Sequence, residues 1–492
     1  MPTLARPAPR PTTQLAPTPQ YGGGDCAVAQ THFRPAAAAI LLLAGLAACA
    51  SRSGGDSDEA RPSVAATASA PPQDAAPAPS IQDAPDPAAD AADTEPSDPP
   101  PPAVVERRTT PPTDLPAGYL ALDRACEPGK SVTVAAVGDL LLHRELQKQA
   151  FRSEHHFQDL WPAVQPLIEA ADVAYANLEG PTAPGIDRWR RERKDPGMVF
   201  DNKVYSGYAR FNYHPSLAAD LIATGFDVVS TANNHSLDRG ALGVDRTLDA
   251  LDAAKLPYTG TRRQGDTTSA WHTVTEVDGI RIAWLACTLH TNYEKDELGQ
   301  VLRCFDDPKE VPRLVAKLNK RKDIDAVIVT PHWGKEYRHQ PVKKQRRLAQ
   351  AIFDAGAIAI VGSHPHVLQP WELLKTADGK QGFAMFSLGN FASHQRDLPR
   401  RSSVILYLGL TQGDDGEVWV NGARYVPITV RTDEAQKDFF VEPVDGTGDT
   451  AEVFDHIEDL MGAPNRLAVG ETLRTNPQCF SDWTAPSESA KR

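Results

Sequence analysis

The chain has 492 residues, 23% of them charged, and a formal net charge of −13. Much of that charge sits in one stretch, since Ala50 to Gly118 holds twelve Asp/Glu against four Arg and leaves the rest only mildly acidic. No basic stripe stands out, so nucleic acid is not expected as a partner.

The N-terminal residues read as an address rather than as fold. Ala36 to Ala48 is an apolar run behind Arg34, following an unusually long first segment, Met1 to Arg34. The run is short for a membrane span and suits the central part of an export signal. Its ending, Leu46-Ala47-Ala48-Cys49, resembles a bacterial lipobox, in which Cys49 becomes the lipidated first residue of the mature chain. An ordinary signal peptide with Cys49 incidental is the alternative. The expectation is a signal segment over 1–49 and an exported protein, lipid-anchored to the membrane on the periplasmic or outer-envelope face.

From Ala50 to Gly118 there is no Phe, Tyr or Trp, and Ala, Pro, Asp and Ser dominate. Without large apolar groups the entropy of ordering the backbone is not offset, which predicts a disordered linker over 50–118. Such a tether has a typical reach of about 40–50 Å. With Cys26 ahead of the cleavage point and Cys49 lipidated, Cys126, Cys287, Cys304 and Cys479 remain. An even number in an exported domain fits two disulfides, and of the three pairings Cys126–Cys479 with Cys287–Cys304 is preferred. Buried free thiols are the alternative, because Cys287 lies inside an apolar strand.

From about Cys126 short β-branched runs alternate with helical patterns. Strands are predicted at Ser131–Val137, Val173–Ala176, Phe226–Ser230, Ile280–Ala286, Ala326–Thr330, Ala357–Val361 and Phe383–Ser387. Most are continuous apolar runs, the mark of sheets covered on both faces. Helices are predicted at Leu141–Ala150, Pro215–Thr224, Gly243–Ala254, Val311–Arg321 and Val342–Asp354, with Gly225 and Gly356 placed to end two of them. Beyond residue 400, Ser402–Thr411 and Glu417–Val430 flank the turn Gly413-Asp414-Asp415-Gly416 and read as a hairpin. A helix near Ala451–Met461 and a polar, disordered tail complete a C-terminal extension over 432–492, expected to pack on the domain. The alternation makes residues 126–431 an α/β domain.

Twelve of the fourteen His fall between His143 and His394, and their placement matters more than their number. Asp139 follows the first strand, Asn177 and Glu179 the second, and Asn233-Asn234-His235-Ser236-Leu237-Asp238 the third. His332 follows the fifth strand, and Ser363-His364-Pro365-His366 the sixth. Carboxyl ends of α/β strands border ligand crevices, so these side chains can converge on one point. Imidazole, carboxylate and amide oxygen form a borderline-hard set suited to Mn, Zn or Fe. The proline of His364-Pro365-His366 restricts the backbone between two imidazoles. Any one of these His is more often structural, but five strand ends agree.

The segments Gly138-Asp139-Leu140, Asn177-Leu178-Glu179-Gly180, Asn233-Asn234-His235-Ser236-Leu237-Asp238-Arg239-Gly240, His332-Trp333-Gly334-Lys335-Glu336-Tyr337, Gly362-Ser363-His364-Pro365-His366 and Ser387-Leu388-Gly389-Asn390 together resemble the CapA family of poly-γ-glutamate capsule biosynthesis proteins. That family is similar to the calcineurin-like metallophosphoesterases. The resemblance implies a four-layer αββα sandwich with two divalent metal ions at one edge. It implies Asp139, Glu179, Asn234, His332, His364 and His366 as metal ligands. It also implies that His235, oriented by Asp238, protonates the leaving group of a phosphoester. His143, Asn177, Ser387 and Asn390 are further candidates for metal or pocket, and Arg239, Glu336 and Tyr337 for the substrate rim, where surface charge is an equal reading. Two departures stand out: the nearest His after Asp139 is His143, four residues on, and Glu179 stands where those enzymes usually have Asp.

The expected function is therefore a dinuclear metal-dependent hydrolase of a phosphoester or envelope polymer, working beside a membrane capsule-synthesis complex. A non-catalytic lipoprotein that binds or anchors the capsule polymer is the alternative. A transporter's solute-binding lipoprotein is a third reading, and it predicts no bound transition metal.

Overall fold

A computed structural model describes residues 105–433 and 437–485. The expected signal with Cys49, the linker up to residue 104, and the tail from 486 lie outside the described residues.

In chain order the first elements are β1 (Lys130–Leu141), α1 (Arg144–Arg152), α2 (Gln165–Glu169), β2 (Val173–Leu178), α3 (Ser216–Thr224), β3 (Val228–Ser230), α4 (Gly240–Ala254) and β4 (Tyr258–Thr259). There follow β5 (His272–Val277), β6 (Ile280–Thr288), α5 (Glu310–Leu318), β7 (Ala326–His332), α6 (Lys343–Asp354) and β8 (Ala359–Val361). The last are β9 (Leu368–Lys375), β10 (Gln381–Leu388), β11 (Asn390–Ser393), α7 (Leu398–Arg401), β12 (Ser402–Gln412), β13 (Val418–Asp433), β14 (Asp438–Pro443) and α8 (Ala451–Met461). Every strand and helix expected from the sequence is present, with shifted ends. The strands β4, β5, β9, β11 and β14 were not anticipated, being short or half-exposed.

One sheet runs β14-β13-β12-β1-β2-β3-β4 and the other β5-β6-β7-β8-β10-β9. In the first, β1 to β4 are parallel and the hairpin side is antiparallel. In the second, parallel β6, β7, β8 and β10 lie between antiparallel edges. Along β1, β12 pairs with Lys130 to Ala136, and β11 takes over at Asp139.

Alternation along the strands divides the core. Ala135, Ala174 and Ala176 face Leu146, Leu217, Leu221 and Leu248 on the helices beside the first sheet. Val134, Ala136 and Tyr175 meet Ile282, Trp284 and Ile328 between the sheets, where the Tyr175 and Trp284 rings stack at 5.4 Å. Leu285, Val327 and Val329 meet Val311, Val315, Leu348 and Ile352 beyond the second sheet. Three cores between successive layers make a four-layer αββα sandwich, the expected fold class.

Two boundaries differ from expectation. The segment expected to remain a linker to Gly118 is held from its first described residues: the Arg108 N–H donates to the Cys479 carbonyl at 2.7 Å, and Arg107 bridges Phe480. Backbone pairing needs no aromatic side chain, so composition does not reveal it. Residue 431 is likewise no break, because β13 runs on to Asp433, β14 pairs with it, and α8 adds Val453, Ile457 and Met461 to the core between the sheets. The structure joins Cys126 to Cys479 and Cys287, inside β6, to Cys304.

Candidate metal centre

The centre forms where β1, β2, β3, β7 and β8 end. Close backbone approach sets its floor: a Cβ on Gly138 would stand 1.9 Å from the Gly389 carbonyl oxygen, so only glycine lets β1 and the turn before β11 meet. Asp139 then donates its N–H to that carbonyl at 3.0 Å and turns its carboxylate inward, fully buried. Just past the end of the neighbouring β2, Glu179 is also fully buried, its own carbonyl accepting from the Tyr213 hydroxyl at 2.5 Å.

Asp139, Glu179 and His332 each offer a ligand atom within 4.8 Å of the others. His332 Nε2 lies 3.6 Å and His366 Nε2 3.8 Å from Glu179 Oε1. Asn234 Oδ1 is 2.9 Å from His332 Nε2, and His364 Nδ1 is 3.2 Å from the same nitrogen. All six expected ligands are thus buried together. His364 and His366 hold φ of +100° and +58°, a region non-glycine residues seldom adopt, and the Pro365 carbonyl between them is anchored by the Tyr337 N–H at 2.8 Å. Strain of this kind gathers at functional sites because surrounding structure must enforce it.

A second layer orients the ligands. The Tyr175 hydroxyl donates to Ser230 Oγ at 2.8 Å, Ser230 donates to Asn177 Oδ1 at 2.7 Å, and Asn177 Nδ2 donates to Asp139 Oδ1 at 2.7 Å. Asn177 therefore aims the Asp139 carboxylate. His366 Nδ1 is 3.0 Å from both Asp139 Oδ2 and Asn390 Oδ1, so it carries the hydrogen and leaves Nε2 free toward Glu179. Asn390 also donates to the Arg400 carbonyl at 2.9 Å. Ser363 Oγ stands 3.0 Å from His332 Nδ1.

Electrostatics distinguish a centre built for cations from a polar core. Both Glu179 carboxylate oxygens are buried without a hydrogen-bond partner. Burial, then the charges of Asp139, Glu336 and Asp238, hold its carboxyl well above the usual range. Burial and the crowding of neighbouring imidazoles push His332 and His364 well below theirs, keeping them neutral, the form that binds metal. An orphaned carboxylate facing neutral imidazoles and an amide oxygen fits divalent cations.

Beside this group, His235 Nδ1 lies 2.8 Å from Asp238 Oδ2, and that same oxygen accepts the Phe211 N–H at 2.6 Å. The Phe211 ring meets His235 edge-on at 4.8 Å. Tyr337 is half exposed with its ring 6.1 Å from His366, and Glu336 acts electrostatically on Glu179, which places both at the rim.

Three sequence candidates have other roles. Arg239 is not at the rim: it is buried and donates to the Ile186 and Val204 carbonyls and to Ser206 Oγ, because only its guanidinium offers enough donors to gather those loop acceptors. Ser387 does not line the pocket, since its hydroxyl donates to the Val367 carbonyl at 2.8 Å and pins the His-Pro-His loop. His143 is outside the group of ligand atoms, lying 3.0 Å from the Leu141 carbonyl and 3.3 Å from the His394 N–H. Tyr213, Phe211 and His290 escaped sequence reasoning; His290 packs on His364 at 5.4 Å. Ser363 was legible as part of its motif, whereas Phe211 and Tyr213 follow a long irregular stretch with no local signal.

The fold and the buried carboxylate–imidazole cluster define an αββα protein with a candidate metal-binding group. Residues 133–395 match the family model "Bacterial capsule synthesis protein PGA_cap", and the chain belongs to that family. It is 30% identical over 280 residues to the capsule biosynthesis protein CapA of Bacillus anthracis, covering 54% of this chain and 61% of that one. It is 27% identical over 288 residues to the PGA biosynthesis protein CapA of Bacillus subtilis strain 168, covering 58% and 69%. The match thus spans under two thirds of the first relative's length. Among solved structures, Haemophilus influenzae NAD nucleotidase is similar over 69% of this chain and 65% of its own, with 14% identity and a TM-score of 0.39.

Proposed function

We propose that the chain is a metal-dependent hydrolase of phosphoester type, holding two divalent ions (Mn, Zn or Fe) and acting on an envelope polymer or its phosphorylated precursor in capsule synthesis. The observation that carries this reading is the Glu179 carboxylate, buried without a hydrogen-bond partner among His332, His366 and Asp139 and next to the His235–Asp238 pair. Asp139, Glu179, Asn234, His332, His364 and His366 would hold the ions. Divalent cations bound there would supply Lewis acidity toward a phosphoryl group.

The remaining work falls to the chain's own groups. Asp238 accepts the Nδ1 hydrogen of His235, which fixes the ring and leaves Nε2 as the atom placed to give a proton to a leaving oxygen. Phe211 holds Asp238 from the backbone and packs its ring against His235, restricting both. Export with lipid anchoring at Cys49, and work beside a membrane capsule-synthesis complex, belong to this proposal. The two disulfides support an oxidising compartment.

The test is turnover of aryl phosphate monoesters and diesters by the purified, metal-loaded chain. His235→Ala is expected to lower kcat by about 10²- to 10⁴-fold with metal content unchanged. Full metal occupancy without turnover across such a panel would instead favour a protein that binds or anchors the polymer.

A further inference from the structure

One charged junction beside the centre has no part in holding metal or moving a proton. Arg210 Nη2 donates to Glu294 Oε1 at 2.8 Å, and Arg190 pairs with the other oxygen of the same carboxylate. Both arginines belong to the segment before α3, in which Asp187 pairs with Arg191 and Arg193 and leaves Arg190 and Arg210 to Glu294.

The junction is built into the walls of the site. The Arg190 methylenes lie over Gly240, two residues past Asp238, where an added Cβ would meet Arg190 Cδ at 2.9 Å. Arg210 directly precedes Phe211, and its Nη1 is fixed on the Arg188 carbonyl at 2.9 Å. Glu294 follows Asn292, whose side-chain oxygen is 3.4 Å from Asn234 Nδ2. Tyr208, two residues before Arg210, and Tyr293, directly before Glu294, are 79% and 101% exposed, large rings left in solvent. Two guanidiniums converging on one carboxylate is the arrangement by which proteins recognise carboxylate and phosphate groups.

We infer that Arg190 and Arg210 form an oxyanion subsite at the mouth of the metal centre, and that Glu294 is an internal stand-in displaced by a carboxylate or phosphate of the substrate. This rests on the reading of the centre as a substrate site, and it adds that the substrate carries a second anionic group beyond the one presented to the metals.

The test is calorimetric binding of two probes, tetraglutamate and tripolyphosphate, to the full chain, both metal-loaded and chelated. Glu294→Gln is expected to tighten one or both probes about tenfold, the scale of a charge-assisted contact. Arg210→Gln in that background should abolish the gain, and Glu297→Gln, which removes the same charge three residues on, should give none. A gain with tetraglutamate alone assigns a carboxylate, and with tripolyphosphate alone a phosphate. Unchanged or weaker binding of both, or a gain that survives Arg210→Gln, overturns the subsite. If Glu294→Gln does not fold, Arg210→Gln in the unaltered chain decides: weaker binding supports the subsite and unchanged binding overturns it. The gain is also read in chelated protein, so failure of the metal centre leaves it standing, whereas its absence from metal-loaded protein strikes the subsite alone.

Discussion

Glu179 is the residue on which the chemistry turns. A carboxylate buried without donors is costly, and in the absence of cations it is relieved by taking a proton. Its pKa is raised in the folded protein, so the native state keeps a proton that the unfolded chain has released, and stability of the chelated protein falls as pH rises above the ordinary glutamate range. Glu179→Gln keeps the shape and removes the titration. Urea unfolding of the chelated variant should lose that decline with pH, while metal affinity drops by at least about 100-fold. The side chains of the candidate centre were legible in the sequence, because each follows a strand and carries chemistry that a core seldom needs. Arg239 was misread for a physical reason: a charged side chain in a loop motif looks like a rim residue until its backbone acceptors are known.

At the scale of elements, the disulfides do different work. Cys126–Cys479 joins positions 353 residues apart, ahead of β1 and near the C-terminus, at the end of β1 away from Asp139. Cys479→Ser should cost about 2–5 kcal/mol of unfolding free energy. Metal content should stay the same, since the centre lies at the other end of that strand. Cys287–Cys304 closes the loop that carries His290, Asn292 and Glu294, and so bears on the mouth of the site. On β5, His272 Nε2 lies 3.2 Å from Arg321 Nη1, and burial followed by the Arg321 charge lowers its pKa from 6.5 to about 4. Between those values the unfolded chain binds the extra proton, so stability falls as pH drops through that window. His272→Gln should flatten the fall, which unfolding midpoints at about pH 4.5 and about pH 7 will show. The strand β5 itself was hard to foresee, since its alternating polar residues lack the apolar run that marked the buried strands.

For the molecule as a whole, periodicity was enough to predict an α/β body, and the three cores show why: strands buried on both faces need helices outside and a partner sheet inside. The added β14 and the N-terminal segment held through Arg107 and Arg108 were less legible because they depend on backbone pairing between residues distant in sequence. All of these parts bring together five strand ends whose side chains would otherwise have no reason to meet. The central claim is that they meet around cations. Elemental analysis of the chain, purified without added metal or chelator, tests this most directly. The account predicts about two equivalents of Mn, Zn or Fe per chain, largely lost in Glu179→Gln. A chain that is metal-free as isolated and takes up none of these ions when they are supplied would contradict it.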